Sequence, residues 1–442
     1  MRFMSRCMKT EMFQPEIETM SRDEIRALQL QKLQKQVLYA YDKVAWYRDK
    51  MDQSGVKPSD IKTLEDVRLL PFTDKQVLRD TYPFGLFAVP MNEVARLHAS
   101  SGTTGKPIVA GYTQRDLDTW SDCIARLAMM AGVVPGDRAQ MAFGYGMFTG
   151  GFGLHYGMEK LGACMIPAGS GNTQRHLMYI NDFQTTVLIA TPSYALHMCE
   201  FGEQQGFDWE KSSLRIGLFG GEPCPPALKE EIERRMHIIC TDNYGLTEVM
   251  GPGVSGECLC SRDMQHIAED HFLWEVIDPE TGEPLPEGTP GELVLTPLDK
   301  EAFPVLRYRT HDLTYVTTKL CECGRTHARM KKVRARTDDM LIIRATNVFP
   351  SQVEDILASI DGVSTHYRIE VDNDSGMDHM VVMAELEPEA FSDSFEEMEA
   401  FRKAIAARLR EGLLVAPDVK LVEPDGLERF YGKAKHVIDH RK

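Results

Sequence analysis

"RIGLFGGEPCPPALKEEIERRMHIICTDNYGLTE", residues 215–248, carries the pattern that decides the fold. It opens on a short apolar run, "RIGLF" (215–219), and passes through the glycine-bearing "GGEPCP" (220–225) into "PPALKEEIERRM" (225–236). A second apolar run, "HIICT" (237–241), then leads into "DNYGLTE" (242–248). Short apolar runs joined by a segment of helical character read as strand, helix and parallel strand. The alternation extends upstream through "RAQMAF" (138–143), "ACMIP" (163–167) and "TVLIA" (186–190). Ligands on such sheets bind beyond the carboxyl ends of the strands. "GYGMFTGG" (144–151), "GGEPCP" and "DNYGLTE" all stand at that position. The expected class is α/β, a βαβ sheet in a large N-terminal domain.

The flanking sequence changes texture. Residues 16–54 carry a helical apolar stripe through Leu28, Leu30, Leu33, Val37, Leu38 and Tyr41, extended by Val44, Trp46 and Tyr47. Between 270 and 320, "ELVLTPL" and "DLTYVTT" alternate like antiparallel strands and predict a β-rich subdomain. A boundary is expected near 335–340, giving domains 1–337 and 338–442. The second reads as small and α+β: "MLIIR", a helix near 350–360, strands "HYRIEVD" and "HMVVMAEL", a helix at 394–411 and "VKLVEP".

The 442-residue chain carries a net charge of −16, without the basic footprint that nucleic-acid binding needs. Its 43% hydrophobic residues suffice for a large core, yet no apolar run is long enough to span a membrane. The N-terminus lacks an apolar signal segment, so residues 1 to about 15 are expected to form a loose leader. Ten scattered cysteines do not resemble a disulfide scaffold; the expectation is a cytoplasmic protein with reduced thiols. Two C-x-C pairs stand out, Cys258/Cys260 with His266 nearby and Cys321/Cys323 before His327. Thiolate and imidazole are zinc's preferred ligands, and a closed site needs four. The expected set is Cys258, His266, Cys321 and Cys323, with Cys260 as the alternate, in a structural role.

"SSGTTGKP" (100–107) is rich in glycine and hydroxyls and carries a lysine, but it is not a Walker A loop. Ser100 stands where the first glycine belongs, and Pro107 follows Lys106 in place of Ser or Thr. Successive amides in such a turn can still nest phosphate oxygens.

Together with "FGYGMFTGGFGLHYG" (143–157), "IPAGSGNTQR" (166–175), "TTVLIATPSYAL" (185–196), "FPVLRYRTHDL" (303–313), "RARTDDMLIIRATNVFPSQVED" (334–355) and "YGKAKHVID" (431–439), these motifs run in one order. In that order the chain resembles the phenylacetate–coenzyme A ligase family of adenylate-forming acyl ligases, from about residue 16 to the C-terminus. The resemblance implies a two-step reaction. A carboxylate attacks the α-phosphate of ATP to give an acyl-adenylate and pyrophosphate, and coenzyme A then displaces AMP.

It also implies roles. Ser101, Gly102, Thr103, Thr104, Gly105 and Lys106 would hold the ATP phosphates. Gly221, Glu222 and Pro223 would flank the adenine, with Tyr244 against its face and Thr247 near the phosphates, and Asp242 and Gly245 would belong to the ATP-binding set. Glu248 would bind Mg²⁺, Asp312 the ribose hydroxyls, with Arg336 as its companion. Lys433 would be the catalytic lysine, with Lys435 as its rival, and Asp338 the hinge of a mobile C-terminal domain. Phe143, Tyr145, Phe148 and Gly220 would shape a pocket for an aryl-acetic acid, phenylacetate first and indole-acetate second. Two departures from the family pattern are Phe143, where Tyr is frequent, and Ala345, where Gly is usual. Loading of a carrier protein and non-enzymatic binding of an acyl-adenylate are the alternatives. The lack of an appended carrier domain favours free coenzyme A, and intact Lys433, Glu248 and Asp312 favour an enzyme. A second copy of the chain is the one protein partner kept open.

Overall fold

The computed structural model describes residues 7–100, 107–333, 335–337, 340–343, 346–374, 377–392, 394–413, 415–428 and 436–441. The phosphate-loop residues 101–106, Asp338, Ala345, Lys433 and Lys435 lie outside that set.

Strands Cys164–Ile166, Arg138–Met141, Val187–Ala190, Ile216–Phe219 and Ile239–Leu246 lie side by side in that order, all parallel. Val187–Ala190 and Ile216–Phe219 are buried at every residue. Burial on both faces is why they read as unbroken apolar runs. The outermost strand, Cys164–Ile166, is short and leaves Cys164 exposed. On the other side the sheet turns antiparallel through Gly251–Cys258, Ser261–Ile267, Arg329–Lys331 and Val316–Thr317, making nine strands.

A separate antiparallel sheet joins Phe272–Ile277, Gly291–Pro297, Tyr308–Thr314 and Ala335–Arg336. The stretch "DLTYVTT", read as one strand, is divided between the two sheets: Thr314 ends a strand of this one and Val316 begins a strand of the other.

The glycines of "GYGMFTGGFGLHYG" serve packing as well as turns. Helix Thr149–Leu161 lies tightly on helix Gln114–Met130. A Cβ on Gly153 would come within 2.1 Å of Trp120, and one on Gly157 within 2.2 Å of Ile124.

The helical stripe at 16–54 forms helices Arg22–Lys43 and Ala45–Ser54, broken at an extended Val44. Ser21 and Glu24 exchange hydrogen bonds in a capping box that starts the first. Leu33, Val37, Val44 and Tyr47 are buried, whereas Leu38 faces solvent.

The N-terminal leader is not loose over its described part. Residues 7–18 form a strap that ends in helix Pro15–Glu18. Glu18 and Arg325 form an ion pair in which both side chains are buried. Arg325 also donates to the Glu11 carbonyl at 2.9 Å, and Gln14 accepts from the buried Arg126 at 2.6 Å. Buried guanidiniums need partners; the strap supplies those of Arg325 and adds Gln14 to the Arg126–Asp270 ion pair. Cys7 is joined to Cys260 in a disulfide. This corrects the expectation of reduced thiols throughout and removes Cys260 as an alternate metal ligand.

From Leu341 onward a smaller α+β unit has its own apolar core, including Val353, Ile369, Val382 and Leu409. Strands Asp418–Val422, Met377–Leu386, Val363–Asp374 and Val437–Asp439 form its sheet, with helices Pro350–Leu357 and Phe395–Leu413. Among the described residues no helix is long and apolar enough to cross a membrane.

Candidate active site

The glycine-bearing segments converge beyond the carboxyl ends of the parallel strands. After Ile216–Phe219, Gly221 takes φ +84°, a conformation that favours glycine. A Cβ on Gly221 would lie 3.6 Å from the ring of Phe143, so the candidate adenine loop and the candidate acid pocket adjoin. Gly220 is packed on Asn243, whose amide donates to the Phe219 carbonyl at 2.6 Å. Glu222 accepts from the Ser193 N–H at 2.7 Å, at the start of helix Pro192–Gln204. Pro223 is exposed beside it.

Across the site, Tyr244 donates its hydroxyl to Asp312 Oδ2 at 2.5 Å. Arg336 donates to Asp312 Oδ1 at 2.6 Å, and the two residues face each other in register on neighbouring strands. Tyr244, Asp312 and Arg336 are therefore brought together as the motifs implied. Gly245 backs onto the Gly251 carbonyl, where a Cβ would come within 1.8 Å. No other residue type fits there.

Glu248 is buried, and burial pushes its carboxyl above the ordinary value, opposed by the charges of Lys75 and Arg336 and by the Tyr308 hydroxyl. A further cation beside it would hold it ionised, which suits a ligand for Mg²⁺. Thr247 Oγ1 lies 3.3 Å from Thr149 Oγ1. Asp242 is pushed up to about 7 by burial, against the pull of Lys332 at 3.9 Å. Its backbone N–H donates to Glu257, which also pairs with Lys229 and Lys332.

The three aromatics of "FGYGMF" separate. Phe143 is buried beside Gly221. Tyr145 is half-buried, and its hydroxyl meets His155 Nδ1 at 2.9 Å. Phe148 is 46% exposed, its ring lying over Gly150. Lys75, Tyr308 and Thr149 were not singled out from the sequence. Lys75 and Tyr308 act on Glu248 from remote segments; Tyr308 stands inside the "FPVLRYRTHDL" motif, whereas nothing in the local pattern of Lys75 points there.

The metal candidates meet as a set. Ligand atoms of Cys258, His266, Cys321 and Cys323 all lie within 4.8 Å of one another, and all four residues are buried. Cys258 and Cys321 sulfurs are 3.7 Å apart, and Cys323 Sγ is 3.4 Å from His266 Nε2. A tetrahedron with Zn–S near 2.3 Å has edges of about 3.8 Å, so the spacing fits. His266 Nδ1 faces the His327 carbonyl at 3.3 Å, which orients the ring with Nε2 toward the cluster. Hydrogen bonding to the neighbouring sulfurs drives Cys258 far above the usual thiol range and Cys323 far below it.

Comparison with known proteins gives the family. The AMP-binding enzyme family matches residues 18–296, and the AMP-binding enzyme C-terminal domain matches residues 345–441. The phenylacetate–coenzyme A ligase of Thermus thermophilus is 47% identical over 98% of this chain and 100% of its own length. That of Escherichia coli is also 47% identical, over 96% of this chain and 97% of its own. A crystal structure of 2-hydroxyisobutyryl-CoA ligase in the postadenylation state, with 2-HIB-AMP, superposes with a TM-score of 0.90 at 29% identity. It covers 97% of this chain and 92% of the other. The same ligase in the thioesterification state gives 0.71 over the same shares. The chain belongs to the AMP-binding enzyme family and, within it, to the phenylacetate–coenzyme A ligases.

Proposed function

We propose that this acid–thiol ligase adenylates an aryl-acetic acid, with phenylacetate first and indole-acetate second, and passes the acyl group to free coenzyme A. The observation that carries the reading is the meeting of Tyr244, Asp312 and Arg336 on one side of the site with Phe143 and Gly221 on the other. In this reading nucleotide and acid lie side by side, as in-line attack on the α-phosphate requires. Asp312 accepts the ribose hydroxyls, and Gly221, Glu222 and Pro223 border the adenine. Glu248 holds Mg²⁺, which neutralises charge on the phosphates. Lys433 supplies positive charge to the α-phosphate as the acid attacks. The domains divide at 337/338, and rotation about Asp338 exchanges the adenylating face for the thioester-forming one. The Cys258, His266, Cys321 and Cys323 set holds a structural Zn²⁺.

Two arrangements test the reading. Pyrophosphate exchange into ATP should appear with phenylacetate alone, and AMP release with thioester formation only once coenzyme A is added. Exchange without thioester formation would return the carrier-protein alternative, and no exchange with any acid would return the non-enzymatic one.

A further inference from the structure

Strands Arg96–Ala99 and Val109–Tyr112 are the two sides of the hairpin whose connection is the "SSGTTGKP" loop. Behind them lies a cluster that the reaction above leaves without a role. Tyr112 stacks on Trp120 with ring centroids 5.1 Å apart. His98 stands edge-on to both, at 5.5 and 5.8 Å. Lys300, from the loop between strands Gly291–Pro297 and Tyr308–Thr314, brings Nζ to 3.2 Å from the Tyr112 ring centroid. Lys300 is 4% exposed, and its Nζ has no hydrogen-bond partner among the described residues.

An amine placed there gives up its hydration for a single aromatic face, where a methionine would fill the space without that loss. The surroundings are nevertheless built for the charge. The buried Asp116 carboxylate accepts N–H groups from Thr113, Glu301 and Ala302 at 2.9, 2.7 and 2.9 Å, and its field favours the Lys300 ammonium. Tyr112 also reaches across to the other phosphate motif. Its hydroxyl donates to the Met250 carbonyl at 2.6 Å, two residues beyond Glu248. Gly251, at φ +115°, lies so close to Trp120 that a Cβ would come within 2.3 Å of its ring.

We propose that Lys300 is a positioning residue for ATP. Its ammonium, seated on the face of Tyr112, holds the root of the phosphate loop in register with the segment that carries Glu248. The proposal rests on the nucleotide reading of that loop and deepens it.

Charge, and not bulk, is the operative property. Burial pushes the Lys300 amine down to about 8. The groups that face this cluster are Asp116 from helix Gln114–Met130, Arg96 and His98 from their strand, and Glu301 beside Lys300. Tyr39 reaches in from helix Arg22–Lys43, and Glu248 acts on Tyr112 from across the site. Burial lowers His98 and raises Tyr39 to about 12 and Tyr112 well above 10. None of those three titrates between about pH 7 and 9. The ammonium is present below about 8 and lost above it, so ATP affinity should fall as pH rises through that value.

The test compares wild type with Lys300→Met in the full-length protein, by calorimetric titration with Mg·ATP and with AMP and by KM for ATP from pH 6.5 to 9. At pH 7 the variant should raise KM for ATP about tenfold, with a smaller fall in kcat, the scale of one lost charge contact. Its KM should stay flat where wild type rises, and AMP binding should be unchanged. Wild-type affinity for ATP at every pH in the variant would overturn the proposal. Should Lys300→Met fail to fold, the wild-type pH profile decides: KM for ATP rising between pH 7 and 9 supports the proposal, and a flat profile overturns it. Failure of wild type itself to bind ATP would instead overturn the nucleotide reading.

Discussion

Phe148 leaves nearly half its surface open at the start of helix Thr149–Leu161, while Phe143 is buried against Gly221. A flat ring bound beside Gly221 would meet Phe143, and the proposed pocket continues along the same segment to Phe148. An aromatic contact contributes about 0.5–1.5 kcal/mol beyond area burial. Phe148→Ala should therefore raise KM for phenylacetate about 2- to 10-fold. KM for hexanoate, which offers no ring, should move less. Steady-state rates on the two acids decide it, and hexanoate equalling phenylacetate in wild type would remove the pocket assignment. Since Phe143 brings no phenol, a 4-hydroxyl on the substrate should gain little. Legibility at this scale follows local pattern. Asp312, Tyr244 and Glu248 sit in motifs that announce them. Lys75 and Lys300 matter through where remote segments return, and an isolated lysine in a sequence is indistinguishable from a solvated one.

The strands of the parallel sheet were readable because burial on both faces writes an uninterrupted apolar run, as in Val187–Ala190. The strap at 7–18 was not, because a polar segment docks here through ion pairs and carbonyls that leave no periodicity. The Cys/His cluster falls between these cases. Its residue types were visible, but only the pairing of strand Ser261–Ile267 with Arg329–Lys331 brings His266 and the Cys321–Cys323 turn together. Both segments already send Ile267, Met330 and the cysteines themselves into the large core, and metal binding should add to that stability. Elemental analysis of chelator-free protein should find about one zinc per chain, in line with a closed four-ligand site. Cys321→Ser should lower both the zinc content and the melting temperature. Metal-free protein with an unchanged melting temperature would rule the site out.

At the scale of the molecule, the small unit stands where the postadenylation ligase has its own, and His366 Nε2 lies 3.7 Å from Glu200 Oε1 across the two units. Lys433→Ala should slow adenylation by about 10²–10³-fold, the scale of removing one preorganised charge contact. Thioester formation from a supplied acyl-adenylate should largely survive. Equal losses in both half-reactions would mean that Lys433 does not belong to one step. The order of the motifs along the chain made the two-unit plan legible. Their relative placement was not, since it depends on an interface that neither unit encodes alone.

The outermost parallel strand has a practical consequence. Of the free cysteines among the described residues, Cys164 is the one exposed to solvent, and Cys7 and Cys260 are tied to each other. Under native, non-reducing conditions a maleimide dye should modify one thiol per chain quickly and the rest slowly, as thiol-reagent kinetics would register. The sheet edge thereby offers a natural attachment point for a fluorophore without altering a single codon.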